Sequence, residues 1–172
     1  MKKILLIITI LCSLQGMTQT LVENKTDDFT KATVKRTSWE KLVYQLSKFT
    51  CFIRFSKIDT LYYLDVKIME AGNVFSIDKD SKIMLKLSND TIYTLNNLAY
   101  VISSIGDGAI GFVGSQAMGI ETSYISFSDR TFKQLETFPI KKIRIYTTDG
   151  YLETDVLDKF SNLVINSIKL LR

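Results

Sequence analysis

Alternating apolar runs hinged on short polar turns constrain this chain more than any other feature. Phe49, Cys51, Ile53 and Phe55 share one face of a run from Phe49 to Ser56, and Tyr62, Leu64, Val66 and Ile68 share one face of a run from Tyr62 to Ile68. A period of two marks a half-buried strand. A two-residue loop at Asp59-Thr60 sets Phe55 opposite Leu64, Ile53 opposite Val66 and Cys51 opposite Ile68, with Arg54 opposite Asp65 on the other face. The two apolar faces then coincide, as a correct register requires. A loop at Asn89-Asp90 sets Leu87 opposite Ile92 and Leu85 opposite Thr94. A loop at Asp149-Gly150, the strongest hairpin signal here, sets Ile145 opposite Thr154, Ile143 opposite Val156 and Arg144 opposite Asp155. These registers share no assumption, and all three are mostly amphipathic. The repeated offsets of Arg54, Asp59 and Asp65 in Arg144, Asp149 and Asp155 are read as two hairpins meeting the same local need, since no 20–50-residue period runs through the chain.

Further elements follow from the same patterns. Thr33 to Trp39, Ala99 to Ser104 and Ile140 to Thr147 read as strands. Ser128 suits the N-cap of a short helix through Leu135, with Phe132 and Leu135 as its apolar side. Phe160, Leu163, Val164, Ser167, Ile168 and Leu171 carry the helical period of a C-terminal amphipathic helix expected to dock on the core. The expected fold is mainly β: an antiparallel sandwich or partly open barrel of seven to nine strands with these two helices. The alternative is an α+β layer with both helices on one face of an antiparallel sheet.

The start, MKKILLIITILCSLQGMTQT, has the layout of a secretory signal: Lys2 and Lys3, an apolar stretch from Ile4 to Leu14, then small and polar residues. That stretch is about half the ~20 residues of a transmembrane helix. The domain organisation is therefore a signal peptide over 1–18, a polar tether over 19–30 and one β-rich domain over 31–172. The mature protein is expected in the periplasm or outside the cell, with no transmembrane span. Leu11 before Cys12 makes a lipid anchor on Cys12 a minor alternative. Losing Lys2 and Lys3 takes the net charge from +4 to +2, and no Lys/Arg cluster appears, so nucleic acid is not an expected partner. Cys51 is then the remaining cysteine, read as a buried small hydrophobe.

The chain contains no histidine, which excludes Ser-His-Asp and Cys-His catalysis and imidazole metal ligands. Gly106, Gly108 and Gly111 match GxGxxG literally, but Gly114 and Gly119 interrupt any helix opening there, and an antiparallel-looking strand follows. A dinucleotide site needs that helix and a parallel strand, so no cofactor is expected. Asp78 and Asp80 lack the glycine and closing glutamate of a calcium loop and read as a polar turn. Trp39 and Tyr44 offer either an aromatic binding surface or a core anchor. The long loop over 105–119 holds unusually apolar residues, Ile110, Phe112, Val113 and Met118. They either fold back over the core, the favoured reading, or form an apolar surface that takes a ligand or partner. Any ligand- or partner-binding site is sought first at these four positions.

The segments DDF and VKRTSW within 27–39, KIMLKLSNDTIYTL over 82–95, the glycine loop, and KKIRIYTTDGYLETDV over 141–156 resemble a group of small exported proteins from Bacteroidetes-type bacteria, whose function is uncharacterised. The resemblance implies an exported β-rich domain with a terminal helix and supplies no catalytic motif. Asn89-Asp90 stands where it implies Asn-Gly. The expected function is a non-enzymatic envelope module that binds a small ligand or an envelope protein. The alternatives are a histidine-independent enzyme using carboxylates or a Ser/Lys pair, and a structural accessory of an envelope complex.

Overall fold

The computed structural model describes residues 19–45, 49–70, 72–108 and 117–172. The signal peptide and Cys12, expected within 1–18, lie outside these residues, as do Ile110, Phe112 and Val113. Thirteen strands and two helices are described: β1 Leu21–Thr26, β2 Thr33–Thr37, β3 Glu40–Tyr44, β4 Phe49–Ile58, β5 Leu61–Glu70, β6 Ser76–Ile77, β7 Lys82–Leu87, β8 Ile92–Asn97, β9 Val101–Ile102, β10 Ser104–Ile105, β11 Met118–Phe127, α1 Asp129–Thr137, β12 Ile140–Thr147, β13 Gly150–Asp155 and α2 Asp158–Lys169. The fold is mainly β, antiparallel and sandwich-like with two helices. Its main sheet runs in the order β1-β2-β4-β5-β11-β8-β7-β12-β13 without closing into a barrel. Strands β6 and β9 form a separate ladder.

The first hairpin keeps its expected register in full: Phe55 faces Leu64, Ile53 faces Val66, Cys51 faces Ile68 and Arg54 faces Asp65. The second is shifted. Leu85 faces Tyr93 and Lys86 faces Ile92. The turn contains three residues, closed by Asp90 N–H to Leu87 C=O at 3.1 Å and Leu87 N–H to Thr91 C=O at 2.9 Å, with Asp90 at φ 63°. Asp90 thus takes the left-handed position that glycine usually fills in a three-residue hairpin. The one-residue slip exchanges faces, so Ile92 is exposed and Leu95 buried.

The third hairpin slips by two, which preserves faces but changes partners. Thr147 pairs with Gly150, Ile143 with Thr154 and Arg144 with Glu153 rather than Asp155. The loop is Thr148-Asp149. A tertiary contact fixes it: Thr148 donates its N–H to Ser76 C=O at 2.9 Å, and Ser76 N–H donates to the Thr148 hydroxyl at 3.3 Å.

The expected strand from Thr33 to Trp39 ends at Thr37 as β2, and a further strand, β3, follows from Glu40 along the same edge of β4. At the break, the Thr37 hydroxyl accepts the Phe55 N–H at 3.0 Å. The expected tether also departs from the sequence reading, because Leu21–Thr26 is the edge strand β1 paired with β2. Ala99–Ser104 divides between β9 on β6 and β10 on β11.

One apolar cluster joins both halves of the sheet. Phe55, Leu64, Val66 and Ile68 from β4–β5 pack in the same core as Ile83, Leu85, Ile143 and Ile145 from β7 and β12. Helix α2 buries Ser161, Val164, Ser167 and Ile168 and touches β3 and β4 as well as β12. Ser128 caps α1 as expected, its hydroxyl accepting the Thr131 N–H at 3.2 Å, and Phe132 stacks on Tyr62 with ring centroids 4.1 Å apart. No helix among the described residues is long and apolar enough to cross a membrane.

Candidate functional site

Residues that alternate with the core-facing positions of β4, β5 and β11 form the outer face of the sheet. Register sets Arg54, Asp65 and Ser123 in one row across these strands, and Lys67 beside Glu121 in the next. Ser56 follows Arg54 along β4 and faces Arg36 on β2. Arg36 and Arg54 are therefore diagonal neighbours on one face.

Asp65 is the hub. It is buried, and its two oxygens accept three bonds: from Arg54 Nε at 2.8 Å, Ser56 Oγ at 2.8 Å and Ser123 Oγ at 2.7 Å. Such a set satisfies a carboxylate taken out of water. Arg54 is held on its other side by Trp39, whose ring centroid lies 4.4 Å from the guanidinium carbon, and Lys67 Nζ lies 4.7 Å from the same centroid. Cation–π contact with a half-buried indole fixes both cations. Glu121 meets Lys67 at 3.2 Å and Arg54 at 3.7 Å.

Beside this hub a cleft of about 280 Å³ opens, lined by Arg36, Arg54, Ser56, Ile58, Tyr63, Asp65, Leu98 and Ser123. Arg36 Nη1 donates to Glu23 on β1 at 2.5 Å. The hydrogen bond from Lys25, with the charge of Arg36 behind it, holds the Glu23 carboxyl below its ordinary range. Among the described residues, Arg36 Nε and Nη2 and Arg54 Nη1 have no acceptor within hydrogen-bonding distance. The cleft thus presents spare guanidinium donors, a hydroxyl-lined floor and an apolar wall.

Two further clefts lack this combination. One of about 170 Å³ lies over Met84, Lys86, Ile92, Lys142, Arg144 and Glu153. Its cations are paired: Lys86 with Asp90, Lys142 with Glu153 and Asp155, and Arg144 with Glu153. Another, of about 210 Å³, separates the free edges of β3 and β13 and is bridged by Gln45 Nε2 donating to Thr154 Oγ1 at 2.7 Å. Tyr44 lines this second opening, and Lys41 Nζ lies 4.3 Å from its ring centroid. Trp39 lies outside the apolar core cluster and is a seat for two cations.

Of the four loop positions expected to bind, only Met118 is described; it opens β11 and pairs with Ile105 and Glu70. The loop's first glycines fold back onto the sheet. Gly106 and Gly108 take φ of 81° and 68°. A Cβ at Gly108 would stand 3.0 Å from the carbonyl oxygens of Ile68 and Ile120, and one at Gly119 would stand 1.7 Å from that of Asp107. These glycines allow backbone to cross backbone. The ladder of β10 with β11 is antiparallel, and Gly111 and Gly114 lie outside the described residues.

Cys51 is fully buried, as expected, and burial pushes its thiol pKa up. Asp78 and Asp80 form a turn, with Ser81 N–H donating to Asp78 C=O at 3.1 Å. No group of three or more His, Cys, Asp or Glu side chains suited to a metal occurs among the described residues. Sequence reading reached Arg54 and Asp65 but not Arg36, Tyr63 or Ser123. The outward alternation of Arg54 and Ser56 was legible, whereas the partner strand that brings Ser123 to Asp65 was not. A scan of protein-family models found no match to this chain, and searches of curated proteins and of solved structures found none either.

Proposed function

We propose that this protein is an exported, non-enzymatic module that binds a small ligand in the outer-face cleft. One observation carries the reading: Arg36 and Arg54 line the same cleft with N–H donors that no described residue accepts. Donors held by packing and left open are what a polar ligand exploits. The cleft's acid–hydroxyl set favours binding over chemistry. Ser56 and Ser123 both donate to Asp65, which already holds Arg54, so these groups complete one another. Nucleophilic catalysis instead needs a base free to take the hydroxyl proton. Export rests on Lys2-Lys3 followed by the apolar stretch to Leu14.

Trp39 is the single tryptophan and stacks on Arg54, so its fluorescence reports on the cleft. The test is a fluorescence and thermal-shift screen of sugars, sugar acids, amino acids, short peptides and fatty acids. A saturable Trp39 response accompanied by a raised Tm is expected for at least one class. A screen with no response from any class overturns the binding reading. Intact mass of the protein recovered from its host's envelope should begin between residues 17 and 20; a chain retaining Met1 in the cytoplasm overturns export.

A further inference from the structure

The geometry points to the chemical class of that ligand, and this inference rests on the binding reading above: the cleft takes a small monocarboxylic acid, its carboxylate held between Arg36 and Arg54 and its body laid against Ile58, Tyr63 and Leu98. The charges lining the cleft are Arg36, Arg54 and Asp65. Asp65 is filled by three donors, so it has little to offer a cationic ligand and neutralises only part of the pair. Glu23 bonds one nitrogen of Arg36 and Asp65 one of Arg54, so an acid is held by the open N–H groups of the two forks rather than by uncompensated charge, and Glu23 and Glu121 beside them oppose a second negative charge.

Donor shape leads to the same class. A guanidinium is a planar fork that matches the two oxygens of a carboxylate. Arg54 is fixed by Asp65 on one side and the Trp39 ring on the other, so its fork is oriented before a ligand arrives. Arg36 is fixed by Glu23. Ordering of the receptor is therefore already complete at both cations, which lowers the entropic cost of binding. The cleft's volume of about 280 Å³ lies just below the roughly 300–1,000 Å³ of drug-sized sites, which restricts the ligand to a few carbons or a single ring. Leu98 is 40% exposed, and with Ile58 and Tyr63 it gives the non-ionic part an apolar wall.

The test is calorimetric and Trp39-fluorescence titration with three matched pairs: hexanoate and hexanamide, N-acetyl-L-alanine and its amide, and D-galacturonate and D-galactose. Inorganic phosphate serves as the competing oxyanion. At least one acid should bind ten-fold or more tightly than its neutral partner and than phosphate. Arg36→Gln should weaken that acid at least ten-fold. Among the described side chains Arg36 hydrogen-bonds only Glu23, so the bonds of the Asp65 hub and the Trp39 reporter are left in place. Arg36→Lys should weaken it as well, since a lysine keeps the charge but loses the fork. Neutral partners binding equally, phosphate binding equally, or Arg36→Gln leaving affinity unchanged each overturns the carboxylate assignment. Silence of all three acids while the wider screen finds another ligand overturns this assignment alone. Silence in both removes the binding reading with it.

Discussion

Arg54 donates to Asp65 across the β4–β5 ladder at 2.8 Å while its guanidinium lies 4.4 Å from the Trp39 ring centroid. One side chain thus joins a buried carboxylate to an indole and leaves part of its fork facing the cleft. Asp65→Ala strands three donors at once, those of Arg54, Ser56 and Ser123. The expected loss is about 2–4 kcal/mol, from unmade hydrogen bonds and a cation without its counter-ion. Urea unfolding checks it, and a Trp39 emission shift should accompany it because Arg54 is released.

Gly119→Ala should be the most damaging glycine substitution among those described. Its Cβ would meet the Asp107 carbonyl at 1.7 Å, which is backbone and cannot rotate away. Gly150 has open space around its Cβ position, so its substitution brings only the strain of φ 128°. Gly119→Ala is expected to cost upwards of ~2 kcal/mol and Gly150→Ala about 1 kcal/mol. Comparing the two midpoints in denaturant decides the ranking.

Asp90→Gly should stabilise the protein. Asp90 holds φ 63° at the end of the β7–β8 turn, and its ion pair with Lys86 is exposed. Relief of left-handed strain is partly offset by the freer unfolded glycine. A rise in Tm of about 1–2 °C is expected, and a fall would place the strain elsewhere.

Glu40 carries a pH dependence of known sign. It is buried on β3, and burial raises its pKa against the bond that Ser38 donates to it at 2.7 Å. A carboxyl whose folded pKa lies above its unfolded value destabilises the fold as pH rises through that interval. Glu40→Gln keeps an acceptor for Ser38 and removes the charge. Its Tm should match the wild type below the ordinary glutamate range and exceed it at neutral pH. A gap that stays constant with pH would rule out this titration as the cause.

Glu136 and Arg172 form an asymmetric pair: the Glu136 side chain is 4% exposed and that of Arg172 is 68% exposed. Arg172→Gln should therefore destabilise the fold chiefly by leaving Glu136 buried without its counter-ion. Adding Glu136→Gln should recover part of the loss, so the two substitutions are non-additive in a double-mutant cycle. Strict additivity would show that the contact carries no energy.

The sequence made the strand class and the first hairpin fully legible because both are local: alternation sets the faces, and Asp59-Thr60 alone sets the register. The second hairpin misled because Asn89-Asp90 reads as a two-residue loop, whereas Asp90 occupies the last position of a three-residue one. The third misled because Thr148 is tied to Ser76, a residue 72 positions away, and no local pattern reports that tie. The cleft shows the same division. Arg54 and Asp65 meet within one hairpin and could be paired on paper. Ser123 and Arg36 arrive on strands whose neighbours follow only from the whole sheet.

Helix α2 has a consequence for the order of events during synthesis. The ribosome makes Phe49–Ile58 and Leu61–Glu70 long before Asp158–Lys169, yet the helix packs against β3 and β4 and supplies part of the shared core. Until Leu171 has been made, the nascent sheet lacks part of the cover over its inner side. For that interval the chain carries long β-prone segments without their final shelter, the state most prone to aggregate and most suited to a holdase chaperone.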